Sequence, residues 1–136
     1  MKARSVHPLL RLATLLLVLA ACSAPPPTPP AGARVYVVRG EVVQAPAPVT
    51  SGIQVLVRHE AIDDFVDASG KVVGMDAMVM PFEVSPSAAS KDLAAGDKVE
   101  IRFSMEWKEP RLRVERIERL PPGTGLTFRA ARAAGK

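Results

Sequence analysis

Thiols are almost absent from this chain of 136 residues: Cys22 is its one cysteine, so an internal disulfide is excluded. Histidine is nearly as scarce, with His7 before that cysteine and His59 alone after it. Nucleophilic or general acid–base catalysis needs a nucleophile, a base and a group to orient the base. One imidazole, no thiol after residue 22 and no Ser/His/Asp pattern do not supply that set, so no enzyme is expected. A basic surface is missing too, despite a pI near 9.6. Three basic residues precede Cys22 and three follow Leu120, with no acid in either stretch; residues 22–120 hold 12 basic against 14 acidic side chains. A nucleic-acid binder concentrates positive charge on its folded domain, so no nucleic-acid partner is expected.

What is present begins with a leader. Lys2, Arg4 and Arg11 precede the apolar stretch LATLLLVLA, and LAAC ends it at Cys22. That layout is a secretory signal peptide over residues 1–21, too short and wrongly flanked for a transmembrane helix. The small residues before Cys22 resemble a bacterial lipobox, which makes Cys22 the lipidated N-terminus of a periplasmic protein. Ser23 after it mildly favours the outer membrane. SAPPPTPPAGA follows, completing a lipidated, proline-rich linker over residues 22–33. Such a run extends at about 3.1 Å per residue and cannot form a core. Residues 34–120 are then one small domain, and residues 121–136 read as a basic, disordered tail.

The domain reads as strands. VYVVRGEVV (35–43) is dense in β-branched residues, and Ile53, Val55, Val57 and His59 share one parity of IQVLVRH (53–59). In KVEIRFSMEW (98–107), Val99, Ile101, Phe103, Met105 and Trp107 alternate with polar residues. Period-2 alternation of this length marks a half-buried strand. RLRVERIERL (111–120) alternates at Leu112 and Val114 and then breaks phase before Ile117. APAPVTSG, DASG, SPS, AAGD and KEP supply turns, and SAASKDLAAGD allows a helical turn ending at Gly96. With the strand around Met78–Val84 this predicts an all-β fold, a five-stranded antiparallel barrel, closed or nearly so. An open sheet packed by the short helix is the alternative.

Methionine is concentrated where other metal-ligating residues are thin. Met75, Met78 and Met80 lie within MDAMVMPF, and Met105 is the only other methionine after the leader. Met78, Met80, Phe82 and Val84 fall on one strand face, successive members roughly 6.6 Å apart. Pro81 cannot donate to a ladder and marks an edge or bulged strand. Thioethers with one imidazole suit a soft ion such as Cu(I), whereas zinc wants thiolates, more imidazoles or carboxylates. The residues alone leave two readings open: a soft-metal site, or core methionines with a histidine closing a strand. Trp107 reads as core, and Asp63, Asp64 and Asp67 as a solvated loop.

The segments H-E-x-I at His59, GMDAMVMPFEV at 74–84 and LAAGDKVEIRF at 93–103 resemble the periplasmic copper-binding family typified by CusF, over roughly residues 35–120. Related domains accompany copper-delivery proteins of cytochrome oxidase assembly. The resemblance implies an OB-like barrel that takes Cu(I), and often Ag(I), through one His and two Met, here His59, Met78 and Met80. It also implies a copper donor or acceptor protein as partner, and the protein is expected to be a monomer. Efflux members carry a tryptophan three residues before the first of these methionines. Met75 occupies that place, which makes it a candidate third sulfur donor. The interval from His59 to Met78 is longer than usual in the family. A metal-free structural or adaptor lipoprotein is the competing function.

Overall fold

A computed structural model describes residues 28–29, 31–85 and 92–132. Cys22, the leader and most of the linker lie outside the described residues. So do positions 86–91, where the helical turn before Gly96 was expected; residues 92–97 form a turn.

Five strands follow one another: β1 (Arg34–Val49), β2 (Gly52–His59), β3 (Met78–Val84), β4 (Lys98–Glu106) and β5 (Arg111–Arg119). They form one antiparallel sheet in the order β3-β2-β1-β4-β5. β1 is shared: its first half pairs with β4 from Arg34↔Met105 to Glu41↔Lys98, and its second half pairs with β2 from Gly40↔His59 to Val49↔Gly52. A strand that changes partner midway curls the sheet. β3 and β5 thereby come side by side, running in the same direction, without a ladder between them.

The barrel expected from the sequence is therefore left open at one seam, a cleft lined by Gln54, Pro81, Glu83, Pro110, Arg111 and Leu112. Pro81 has no N–H to offer across that seam, which fits its place on an edge strand. A partly open five-stranded barrel is the OB arrangement.

β1 also runs further than its composition suggests. Pro46 and Pro48, read from the sequence as turn residues, lie inside β1, and the turn itself is only Thr50–Ser51. Beyond Glu41 no rung joins β1 to β4, so the prolines sit on an edge and cost the sheet no donor. On β5 the phase break before Ile117 is a bulge: the register with β4 shifts between Arg102↔Arg116 and Phe103↔Val114, and Glu115 is the extra residue.

Alternate residues of every strand fill the interior. Tyr36, Val38 and Val42 of β1 meet Val55 and Val57 of β2, Phe82 and Val84 of β3, Val99, Ile101 and Phe103 of β4, and Val114 and Ile117 of β5. Aromatic rings run through this core in tilted and edge-on contacts, from Phe82 to Phe103 (5.7 Å), Tyr36 (5.4 Å), Phe65 (5.1 Å) and Trp107 (6.1 Å). Trp107 is thus partly buried packing, as its parity predicted.

Candidate metal centre

The long interval between His59 and Met78 is a hairpin excursion. Every β2–β3 pair shares one register, from Ile53↔Val84 to His59↔Met78. The same register returns further out as the bridge Ile62↔Met75, and Val66↔Val72 narrows the tip. The residues between the strands leave and come back in step, so the length of the excursion does not disturb what faces what.

That register sets the candidate ligands beside one another. His59 and Met78 are cross-strand partners, and Met80 is two pairs further in on the same face, opposite Val57. Directly opposed Cβ atoms lie about 5 Å apart and diagonal ones about 7–8 Å, so both thioethers are within reach of the imidazole. His59 is fully buried, with its ring edge-on to Phe82 at 6.3 Å. Met80 is partly buried against the core, whereas Met78 is 49% exposed. The face is sealed behind the imidazole and open at Met78.

Gly40 makes room for this corner. It pairs with His59, and a Cβ there would lie 2.6 Å from the Arg58 carbonyl oxygen and 2.7 Å from Val57 Cγ1. Only glycine lets β1 come this close behind the histidine. An isolated glycine inside a strand pattern is the signal that would have marked it.

The chemistry of His59 follows from its hydrogen bond. Nδ1 lies 2.6 Å from the Glu60 carbonyl oxygen, which can only accept, so Nδ1 carries the proton and Nε2 a bare lone pair. Burial pushes the pKa of His59 below its ordinary value, against a smaller opposing effect of the Glu60 hydrogen bond. The ring is therefore neutral at neutral pH. Nε2 is buried and, among the described residues, has no hydrogen-bond partner. A buried polar atom left alone costs about 1–3 kcal/mol and calls for an explanation. Metal-binding histidines have this arrangement, one ring nitrogen donating to a carbonyl and the other free for the ion.

Among the described residues two other buried side-chain atoms are orphaned, and neither offers the same. Trp107 Nε1 is a donor with no lone pair to give. Glu115 Oε1 belongs to a carboxylate whose Oε2 is held by Arg102 at 2.9 Å.

Met75 lies at the far end of the excursion's first rung. Its N–H and C=O both bond to Ile62 at 2.9 Å, and its side chain packs against the core. Gly74, with φ at +70°, makes a bend just before it.

Asp63 and Asp67 of the excursion are occupied elsewhere. Asp67 Oδ1 accepts from Ser69 N–H (2.8 Å), Ser69 Oγ–H (2.6 Å) and Lys71 N–H (3.1 Å), which closes the tip. Asp63 accepts two bonds from the Arg129 guanidinium and one from Arg132 N–H, and these hold its carboxyl well below the usual range. Among the described residues no three His, Cys, Asp or Glu side chains gather in a metal-binding group.

Arg129 belongs to the segment 121–136, read from the sequence as a disordered tail, of which residues 121–132 are described. Residues 121–132 cross the excursion in an ordered path. Thr127 N–H donates to Glu60 Oε1 (2.6 Å), Ala77 N–H to the Arg129 carbonyl (2.9 Å) and Ala131 N–H to Asp76 Oδ1 (2.7 Å). Arg58 sits 4.1 Å over the Phe128 ring. The order comes from main-chain bonds to carboxylates distant in sequence, which basic and small residues do not announce.

The family model described as "Copper binding periplasmic protein CusF" matches residues 36–119. The chain belongs to the CusF family. Comparisons with curated proteins and with solved structures returned no match. The span matched takes in all of β2, β3, β4 and β5 and all but the first two residues of β1, but stops before the segment that crosses the excursion. CusF-family proteins are periplasmic copper binders, and the candidate ligands His59, Met78 and Met80 are of the soft kind such an ion prefers.

Proposed function

We propose that the protein is a lipid-anchored periplasmic carrier or buffer of Cu(I). His59, Met78 and Met80 are its ligands and Met75 a further sulfur donor. The observation that carries the reading is the buried, unpartnered Nε2 lone pair of His59, set in register against Met78. A neutral imidazole and thioethers can take up the ion without first losing a proton at neutral pH, and thioethers do not form disulfides in an oxidising compartment. Ag(I), softer still, fits the same donors. Exposure of Met78 gives the ion a way in and out toward a periplasmic copper donor or acceptor. Cys22 carries the lipid, and the proline-rich linker holds the domain away from the membrane.

The test is Cu(I) uptake by the mature chain against a colorimetric chelator. Cys22→Ser is included so that its thiol cannot take the ion. One equivalent held by this chain, and lost in His59→Leu, supports the reading. No uptake points instead to a metal-free adaptor built on the same barrel.

A further inference from the structure

Beyond His59 and Met78 the β2–β3 register would place Glu60 opposite Ala77 and Ala61 opposite Asp76, since it holds again at Ile62↔Met75. Those two rungs are missing. The Glu60 carbonyl is taken by His59 Nδ1–H, and Ala77 N–H is turned outward to the Arg129 carbonyl. The carboxylates of Glu60 and Asp76 accept the N–H groups of Thr127 and Ala131. Glu60 N–H is turned the other way, to the Arg39 carbonyl of β1 at 2.8 Å, so the C-terminal segment spans the gap in the ladder through Ala77 N–H and the two carboxylates.

This bears on Met75. On an unbroken strand, residues three apart face opposite sides, and Met75 would point away from the face of Met78. Instead Met75 and Met80 both pack against the core. We propose that residues 124–132 form a strap that positions the metal site: by holding the strands open just past His59 and Met78, it turns the Met75 thioether to the ligand side. The inference rests on the Cu(I) reading above and adds the device that completes the shell.

The strap is fastened where the argument needs it. The Arg129 fork grips Asp63 at 2.8 and 2.7 Å, and Arg132 N–H adds a third bond at 2.7 Å. A Cβ on Gly74 would lie 2.7 Å from Ala131 Cβ, so the strap closes directly over the bend that precedes Met75. Among the described residues no buried core residue lies beyond Ile117, which makes the strap an addition to the barrel rather than part of its interior. Glu60, Asp63, Asp76 and Arg129 are positioning residues; none is placed on the ion.

X-ray absorption and chelator competition on the Cu(I)-loaded mature chain test this, with Cys22→Ser throughout. The full chain is expected to show three sulfurs and one nitrogen. A chain ending at Gly123, and Asp63→Ala in the full chain, are each expected to show two sulfurs. Their affinity should be about 10–100-fold weaker, as for loss of an outer-shell partner, with an unfolding midpoint close to wild type. Met75→Leu should lose as much, and adding the truncation to it should cost nothing more, because the two changes remove one interaction. Three sulfurs in the Asp63→Ala and truncated chains would overturn the strap, as would two in the full chain or fully additive losses. A full chain that takes up no Cu(I) breaks the functional reading itself, and the strap falls with it. If the shortened chain does not fold, Asp63→Ala and its combination with Met75→Leu decide the matter.

Discussion

Replacing His59 by leucine should separate function from stability. Leucine fills a similar volume, and it removes an atom that is buried without a partner. Leaving such an atom unpaired costs about 1–3 kcal/mol. The change also removes the Nδ1–H bond to the carbonyl of the partly buried Glu60, worth about 1 kcal/mol net. The apo variant should therefore be as stable as wild type, or more so by up to about 2 kcal/mol.

Copper reverses the order. Free Cu(I) held at a hundred times the wild-type Kd stabilises wild type by about 2.7 kcal/mol; a variant binding a hundredfold more weakly gains about 0.4 kcal/mol. Anaerobic urea unfolding with and without buffered Cu(I) reads both, at constant m. The pH adds a check whose sign is fixed. The pKa of His59 is lowered on folding, so the unfolded chain binds a proton near pH 6.5 that the native chain refuses. Apo wild type should lose stability as pH falls below about 6.5, levelling off below the native pKa, and His59→Leu should not share that slope. An apo variant more than about 2 kcal/mol less stable than wild type would refute the reasoning, and so would equal Cu(I) stabilisation of both.

The double change Met78→Leu with Met80→Leu should stay folded, since each volume-conserving swap costs under about 1.5 kcal/mol and Met78 is half exposed. It should lose Cu(I) in chelator competition; wild-type affinity would place the site elsewhere. The carboxyl of Asp63 is held well below its ordinary range by Arg129 and the Arg132 amide. Its support of the strap is thus present above pH ~4 and lost only as pH falls further, through the native value. The Arg132 amide resonance reports it, and a shift complete by pH 5 would contradict the bonding described. Mass measurement of the mature N-terminal peptide should find Cys22 acylated; a bare Cys22, or cleavage elsewhere, would make the protein unanchored.

Most of the barrel could be read from alternation alone. The faces of β2 and β4 follow directly from Val55, Val57 and His59 and from Val99, Ile101 and Phe103. The phase break in β5 is visible as well, although only a partner strand turns it into a bulge at Glu115. The pairing of His59 with Met78 was less legible. Spacing along the chain says nothing once a hairpin returns in register, and the family resemblance carried that assignment before the geometry was known. Two features escaped. Pro46 and Pro48 look like breakers, because composition does not tell which side of a strand lacks a neighbour. The strap is built from amide-to-carboxylate bonds between residues up to 69 positions apart, and hydropathy contains no trace of those.

β1 belongs to both ladders, and this divides the molecule by timescale. If β1 peels away, the β2–β3 and β4–β5 hairpins lose the only strand they share through hydrogen bonds. Amides of Val38, Gly40 and Val42 should therefore exchange with solvent only when the whole domain opens, while the excursion from 60 to 77 can open together with the segment bonded across it. The boundary between the two regimes falls just past His59. The imidazole rides on the slow part of the molecule and Met75 on the fast part, so the candidate ligands need not be lost together: the chain can loosen its hold on one side while the other stays fixed.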